Sequence, residues 1–198
     1  MKRSVLEIPD WPGWDTFMEY YEGADQAPYP EDSRLYFTLL FESGCRREEV
    51  IKIRPDMIKY NEEAIVIQNV PVLKKKKRTT RNVIIKRDDK NPLADHLLKY
   101  LADCDTDYLL PGLRPFTREK IRDRHVSQKT VWNRISELSP DLWPHALRGY
   151  RASMLVHERG FTVQNLVSWF DWSSANMAVH YTRTKDLAHN MGIMKLPT

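Results

Sequence analysis

From Arg34 to Phe41 the chain reads Leu35, Tyr36, Phe37, Leu39, Leu40 and Phe41 with hardly a polar break. An element apolar nearly all round is a helix sunk in a core. Gly44 is placed to end it, because helices commonly stop on a residue in the left-handed region. A second helix is predicted from Arg47 to Ile53, halted before Pro55. The pattern then changes. Met57 to Tyr60, Ala64 to Val70 and Asn82 to Lys86 are rich in Ile and Val and are separated by turn residues such as Asn61-Glu62. They predict a small antiparallel sheet whose second hairpin carries a run of lysines. Pro92 to Ala102 opens on a proline and sets Leu93, Leu97, Leu98 and Leu101 on one helical face. Thr117 to Arg124 and Ser127 to Leu138 are predicted as two helices, each opened by a capping hydroxyl. Three more follow from Pro144, broken near Gly160 and Trp172. Residues 1–32, rich in Pro, Trp, Tyr and acids, predict an irregular lead-in around a short amphipathic helix near Trp14 to Tyr21.

A chain of 198 residues buries one full core and barely suffices for two. The expected division is a lead-in at 1–32, one main domain at 33–184 and a tail at 185–198. The net charge of +4 is modest, but it is unevenly placed. Lys74, Lys75, Lys76, Lys77, Arg78 and Arg81 make one basic block; Arg114, Arg118, Lys120, Arg122, Arg124 and Lys129 make another. Both suit a polyanion. Cys45 and Cys104 give neither a disulfide framework nor a zinc spacing, and no apolar run reads as a signal peptide or a bilayer span. A soluble cytoplasmic protein without a membrane partner is expected.

The candidate chemistry lies mainly in the last third, where His145-Ala146-Leu147-Arg148 precedes Trp172-Ser173-Ser174 and Tyr181, with Arg46 far upstream. Two arginines, a histidine and a phenol suit transfer of a phosphodiester. Guanidinium groups meet two phosphate oxygens at once and stay charged. A free phenol ionises near pH ~10, so Tyr181 needs help losing its proton, and His145 titrates near neutrality. A lysine can protonate the leaving oxygen as general acid. There is no Gly-x-x-x-x-Gly-Lys loop and no His-Glu-x-x-His, and the histidines do not fall at ligand spacings. Neither a metal nor a cofactor is expected. Taken singly, each residue has an ordinary reading: a surface arginine, a capping histidine, a core tryptophan, a helix-face tyrosine.

Taken in order, Arg46, the lysine hairpin, His145-x-x-Arg148, Trp172 and Tyr181 resemble the catalytic domain of the tyrosine recombinases, or phage integrases, over roughly residues 14 to 184. Glu42-Ser43-Gly44-Cys45-Arg46-Arg47-Glu48-Glu49 is similar to the family's first box, and Pro144 to Arg148 to its second. Asp171-Trp172-Ser173-Ser174 stands where Gly-His-Ser-Ser is usual. The resemblance implies a mainly α (α+β) fold, a helical catalytic domain with a small antiparallel β-sheet. It also implies a site-specific DNA recombinase working through a 3'-phosphotyrosyl intermediate. Arg46 and Arg148 would then stabilise the transition state, His145 would assist proton transfer and Glu49 would orient its neighbours. Trp172, in place of histidine, keeps an N–H donor but cannot act as a base. Aligning Arg81 and the strand after it favours Lys76 as general acid, with Lys74, Lys75 and Lys77 as alternatives.

Lys74, Lys75, Lys77, Arg78, Lys129 and Arg134 are candidate DNA contacts. Double-stranded DNA, a dimer or tetramer formed on it, and a prokaryotic, archaeal or viral origin are also implied, with the tail docking on a neighbouring protomer. Two other readings remain at this stage: a non-catalytic helix-turn-helix protein built on Thr117 to Leu138, and a type IB topoisomerase-like relaxing enzyme.

Overall fold

The helix predicted around Leu35 to Phe41 is the axis of the molecule. In the computed structural model, which describes residues 11–73, 79–88, 91–117 and 119–182, it runs from Pro30 to Ser43 (α2). It starts earlier than predicted because Pro30 occupies its first turn, followed by Glu31 and Asp32, where acids complement the positive helix end. Phe37, Leu39, Leu40 and Phe41 are fully buried. The preceding helix α1 (Trp14–Glu22) buries Phe17 and Tyr21 in the same core. Trp11 and Trp14 pack on Phe41, so an aromatic cluster fastens this segment to α2.

Helix α3 (Arg47–Val50) is shorter than predicted. The amides of Lys52 and Ile53 bond to the carbonyls three residues back, which tightens the chain out of the α-helix and drops Ile51 and Ile53 into the core. A three-stranded antiparallel sheet follows in the order β1 (Ile58–Tyr60), β2 (Ala64–Val72), β3 (Thr79–Lys86). Ile65 and Ile67 on β2 and Val83 and Ile85 on β3 form its inner face, with Arg81 on the same side. A bulge between Ile67 and Val70 shifts the register. It places Asn69 at φ 54°, with its N–H donating to Asn82 Oδ1 at 3.0 Å.

After α4 (Leu93–Ala102) comes a departure from the sequence reading. Thr117 to Arg124 is not a helix; Lys120–His125 is a strand (β5) paired antiparallel with Pro111–Leu113 (β4). Ile121 is its single aliphatic residue, so a helix here would have no apolar face to bury, whereas pairing with β4 satisfies its backbone. Helix α5 (Gln128–Ser136) is capped as predicted, Ser127 Oγ accepting from the Thr130 amide at 3.1 Å. Helices α6 (Pro144–His157) and α7 (Val163–Phe170) follow, and residues 176–182 are again helical. No helix among the described residues is long and apolar enough to cross a membrane.

Candidate active site

Arg46 sits at the N-cap of α3 and is held there by Glu49. The carboxylate accepts from the Arg46 backbone N–H at 2.9 Å and from its guanidinium at 2.8 Å. Glu49 is only 1% exposed and also accepts from the Leu73 amide at 3.2 Å. One buried carboxylate therefore ties Arg46 to the end of β2, immediately before the lysine run. Residues 74–78, including Lys76, lie outside the described residues. Arg46 and His145 together line a cleft of about 260 Å³ with Arg47, Glu48, Trp132 and Pro144.

Arg148, on α6, is 3% exposed. It donates to the carbonyl oxygen of Gly44, and its other terminal nitrogen has no acceptor among the described residues. Gly44 takes φ 55°, and a Cβ there would lie 2.7 Å from both Phe170 and Trp169. The turn needs glycine for its backbone angle and for the close approach of α7. Burial, with Arg46 and Arg81 nearby, pushes the Arg148 guanidinium down to about 9, against the pull of Glu49. It remains a cation at neutral pH.

Phe170, Trp172 and Tyr181 form a ladder of rings. Phe170 stacks on Trp172 at 4.6 Å and Trp172 on Tyr181 at 5.9 Å between centroids. The Arg148 guanidinium lies 4.6 Å from the Phe170 ring and 5.8 Å from that of Trp172. Tyr181, 8% exposed, has its hydroxyl pushed up to about 12 by burial, with the Arg148 charge opposing. Trp172 thus lies between Phe170 and Tyr181 in the ladder, with the arginine beside it.

A sequence profile of the phage integrase family matches residues 15–187. The chain belongs to that family. Solved structures share its fold. XerH recombinase, in a post-cleavage complex with palindromic difH substrate, is 15% identical with a TM-score of 0.68 over 98% of this chain and 55% of its own. XerA recombinase is 19% identical with a TM-score of 0.66, over 93% and 66%. A lambda integrase dimer bound to a core site is 16% identical with a TM-score of 0.57, over 91% and 49%. The chain spans about half to two thirds of the length of these structures. No curated protein sequence gives a significant match.

Within this integrase domain, Arg46, Glu49 and His145 fall at the cleft or beside it, and Arg148 and Tyr181 are buried, with the half-buried Trp172 stacked on the phenol. Electrostatics join the two groups, since Arg46 and Glu49 both act on Arg148. Of the two candidate DNA contacts on α5, Lys129 is exposed, but Arg134 points inward. It pairs with Glu137 at 3.0 Å and lies 3.8 Å from the Tyr29 ring centroid, so in this state it is a structural cation.

Two structural roles escaped the sequence reading. Arg81, placed there in a basic block suited to a polyanion, is buried instead and donates to the Trp169 carbonyl at 2.9 Å and the Ser43 carbonyl at 2.8 Å, clamping β3 to the turns that carry Arg46 and Trp172. Its alternation with Val83 and Ile85 was the available signal. Glu42, fully buried, pairs with Arg151 at 3.0 Å and accepts from Asn91 at 3.3 Å. Burial raises its carboxyl above the ordinary range while Arg151 opposes.

Proposed function

We propose that this integrase-family chain is a catalytic domain that cleaves and rejoins double-stranded DNA at specific sites through Tyr181. The observation that carries the reading is charge. Arg46, Arg81 and Arg148 converge with Glu49 as the carboxylate acting on Arg148, and a buried donor of Arg148 has no acceptor among the described residues. A buried cation with an unused donor is costly unless an anion completes it. A phosphodiester supplies that anion.

In the proposed step the Tyr181 oxygen attacks phosphorus, its proton passes to His145, and the bond to the 5' oxygen breaks as that oxygen takes a proton from the lysine hairpin, with Lys76 as the donor. Arg46 and Arg148 bind the non-bridging oxygens, where negative charge grows. Removing one such preorganised donor costs on the order of 10²-fold to 10³-fold in rate. The 3'-phosphotyrosyl bond conserves the energy of the phosphodiester, so a second 5' hydroxyl can reverse the step without ATP. Glu49 holds Arg46, and Trp172 holds the phenol against Arg148. Lys74, Lys75, Lys77, Arg78 and Lys129 would contact the backbone, and dimers or tetramers would assemble on the DNA. The tail at 185–198, which would dock on a neighbour, lies outside the described residues. A cytoplasmic setting goes with this reading.

The helix-turn-helix alternative loses its first helix, because Lys120–His125 is a strand. The test is covalent capture. The protein is incubated with nicked duplexes randomised around the nick, whose short 5' strand diffuses away on cleavage, and run on a denaturing gel. A DNA-linked band that disappears in Tyr181→Phe is expected; a band that survives this substitution would refute the assignment, and no band with the intact chain would refute the activity.

A further inference from the structure

Four large apolar side chains are exposed among the described residues: Tyr60, Ile84, Phe116 and Trp132. Of these, Trp132 stands in the wall of the Arg46 and His145 cleft. The residue is 42% exposed, and the Arg47 guanidinium lies 5.8 Å from its ring centroid. Val131, Arg134 and Ile135 turn α5 toward the core, which leaves Lys129, one turn before Trp132, on the same outward face. A partly exposed indole with a guanidinium beside it shares the cleft wall with Arg46 and His145, and Lys129 adds a cation on the same helix face.

We propose that Trp132, supported by Arg47, is a stacking platform for the nucleotide at the free 5' end created by cleavage. The idea rests on the strand-transfer reading above. Once Tyr181 has taken the phosphorus and the bond to the 5' oxygen is broken, that end must unpair before it can be exchanged. Its base then loses one stacking neighbour, and an aromatic side chain replaces the loss without regard to sequence. The wall also carries Glu48, whose carboxylate disfavours a phosphate at this spot but not a neutral base. The cleft thus sorts its ligand: phosphate toward Arg46 and His145, base toward Trp132.

A binding cycle in the Tyr181→Phe background, where no cleavage confuses the readout, tests this. Nicked duplexes carry at the 5' terminus exposed by the nick either a mismatched base or an abasic residue, and affinity is read by fluorescence anisotropy. With Trp132 present, the mismatched base should bind about tenfold tighter than the abasic residue, in line with alanine substitutions at other stacking sites. Trp132→Ala should erase that preference, and Trp132→Phe should keep part of it. Equal unfolding midpoints for the variants separate stacking from damage to the fold. No preference with Trp132 present, no binding at all, or a preference that survives Trp132→Ala would overturn the proposal. Capture by the intact chain reads the parent reaction independently: a lost preference with capture intact sinks the platform alone, and absent capture sinks the parent.

Discussion

Arg148 and Gly44, 104 positions apart in the chain, are joined by a hydrogen bond from the guanidinium to the carbonyl oxygen. The bond couples the turn that presents Arg46 to the helix that presents Arg148, so distortion at the turn reaches both cations. Gly44→Ala should cost about 2–4 kcal/mol, because alanine resists the left-handed angle and its methyl meets Phe170 and Trp169. Urea unfolding measures the loss. Covalent capture should also fall by about 10²-fold, the expected effect of a small displacement at a reacting centre.

Arg81 should resist conservative exchange. Its two terminal nitrogens serve carbonyls on different elements, a fork that a lysine ammonium does not reproduce. Arg81→Ala leaves both carbonyls unanswered and should cost about 3 kcal/mol. Arg81→Lys should recover less than half of this in the same denaturation experiment.

The Glu42 and Arg151 pair should behave as a unit. Glu42→Leu alone strands a buried guanidinium and should cost about 3–5 kcal/mol. Combining it with Arg151→Met removes both charges, and most of the loss should return. Double-mutant cycles on chemical unfolding give the coupling directly.

Alkaline pH should destabilise the protein. Unfolded phenols ionise near ~10, while burial holds those of Tyr150 and Tyr181 up to about 12 and pushes Tyr36 and Tyr100 up as well. Between those values the unfolded chain binds fewer protons than the folded one, so stability is intact below pH ~10 and falls as pH rises toward 12. Urea midpoints at pH 9 and pH 11 test this, and Tyr181→Phe should make the decline shallower.

The legible and illegible parts of the sequence differ for physical reasons. The apolar run of α2, the Val and Ile alternation of the sheet and the Ser127 cap are local signals, and each matches its element closely. Lys120 to His125 is mostly charged, and such residues are compatible with a helix until a partner strand is known. The order of Arg46, His145, Arg148, Trp172 and Tyr181 was readable, but the stacking of Tyr181 on Trp172 and the seat of Arg148 against Gly44 were not, because both depend on long-range packing. Arg134 shows the converse. Alongside Lys129 on the predicted helix it reads as a DNA contact, yet Tyr29 and Glu137 draw it inward.

The most direct test of the central claim is to locate the covalent bond. Captured protein–DNA adduct is digested with nuclease and protease, and the peptide bearing residual nucleotide is sequenced by mass spectrometry. A single phosphotyrosyl peptide with the nucleotide on Tyr181 is expected, lost when Arg148 is replaced by alanine. Nucleotide on any other residue, or an adduct indifferent to Arg148, would contradict it.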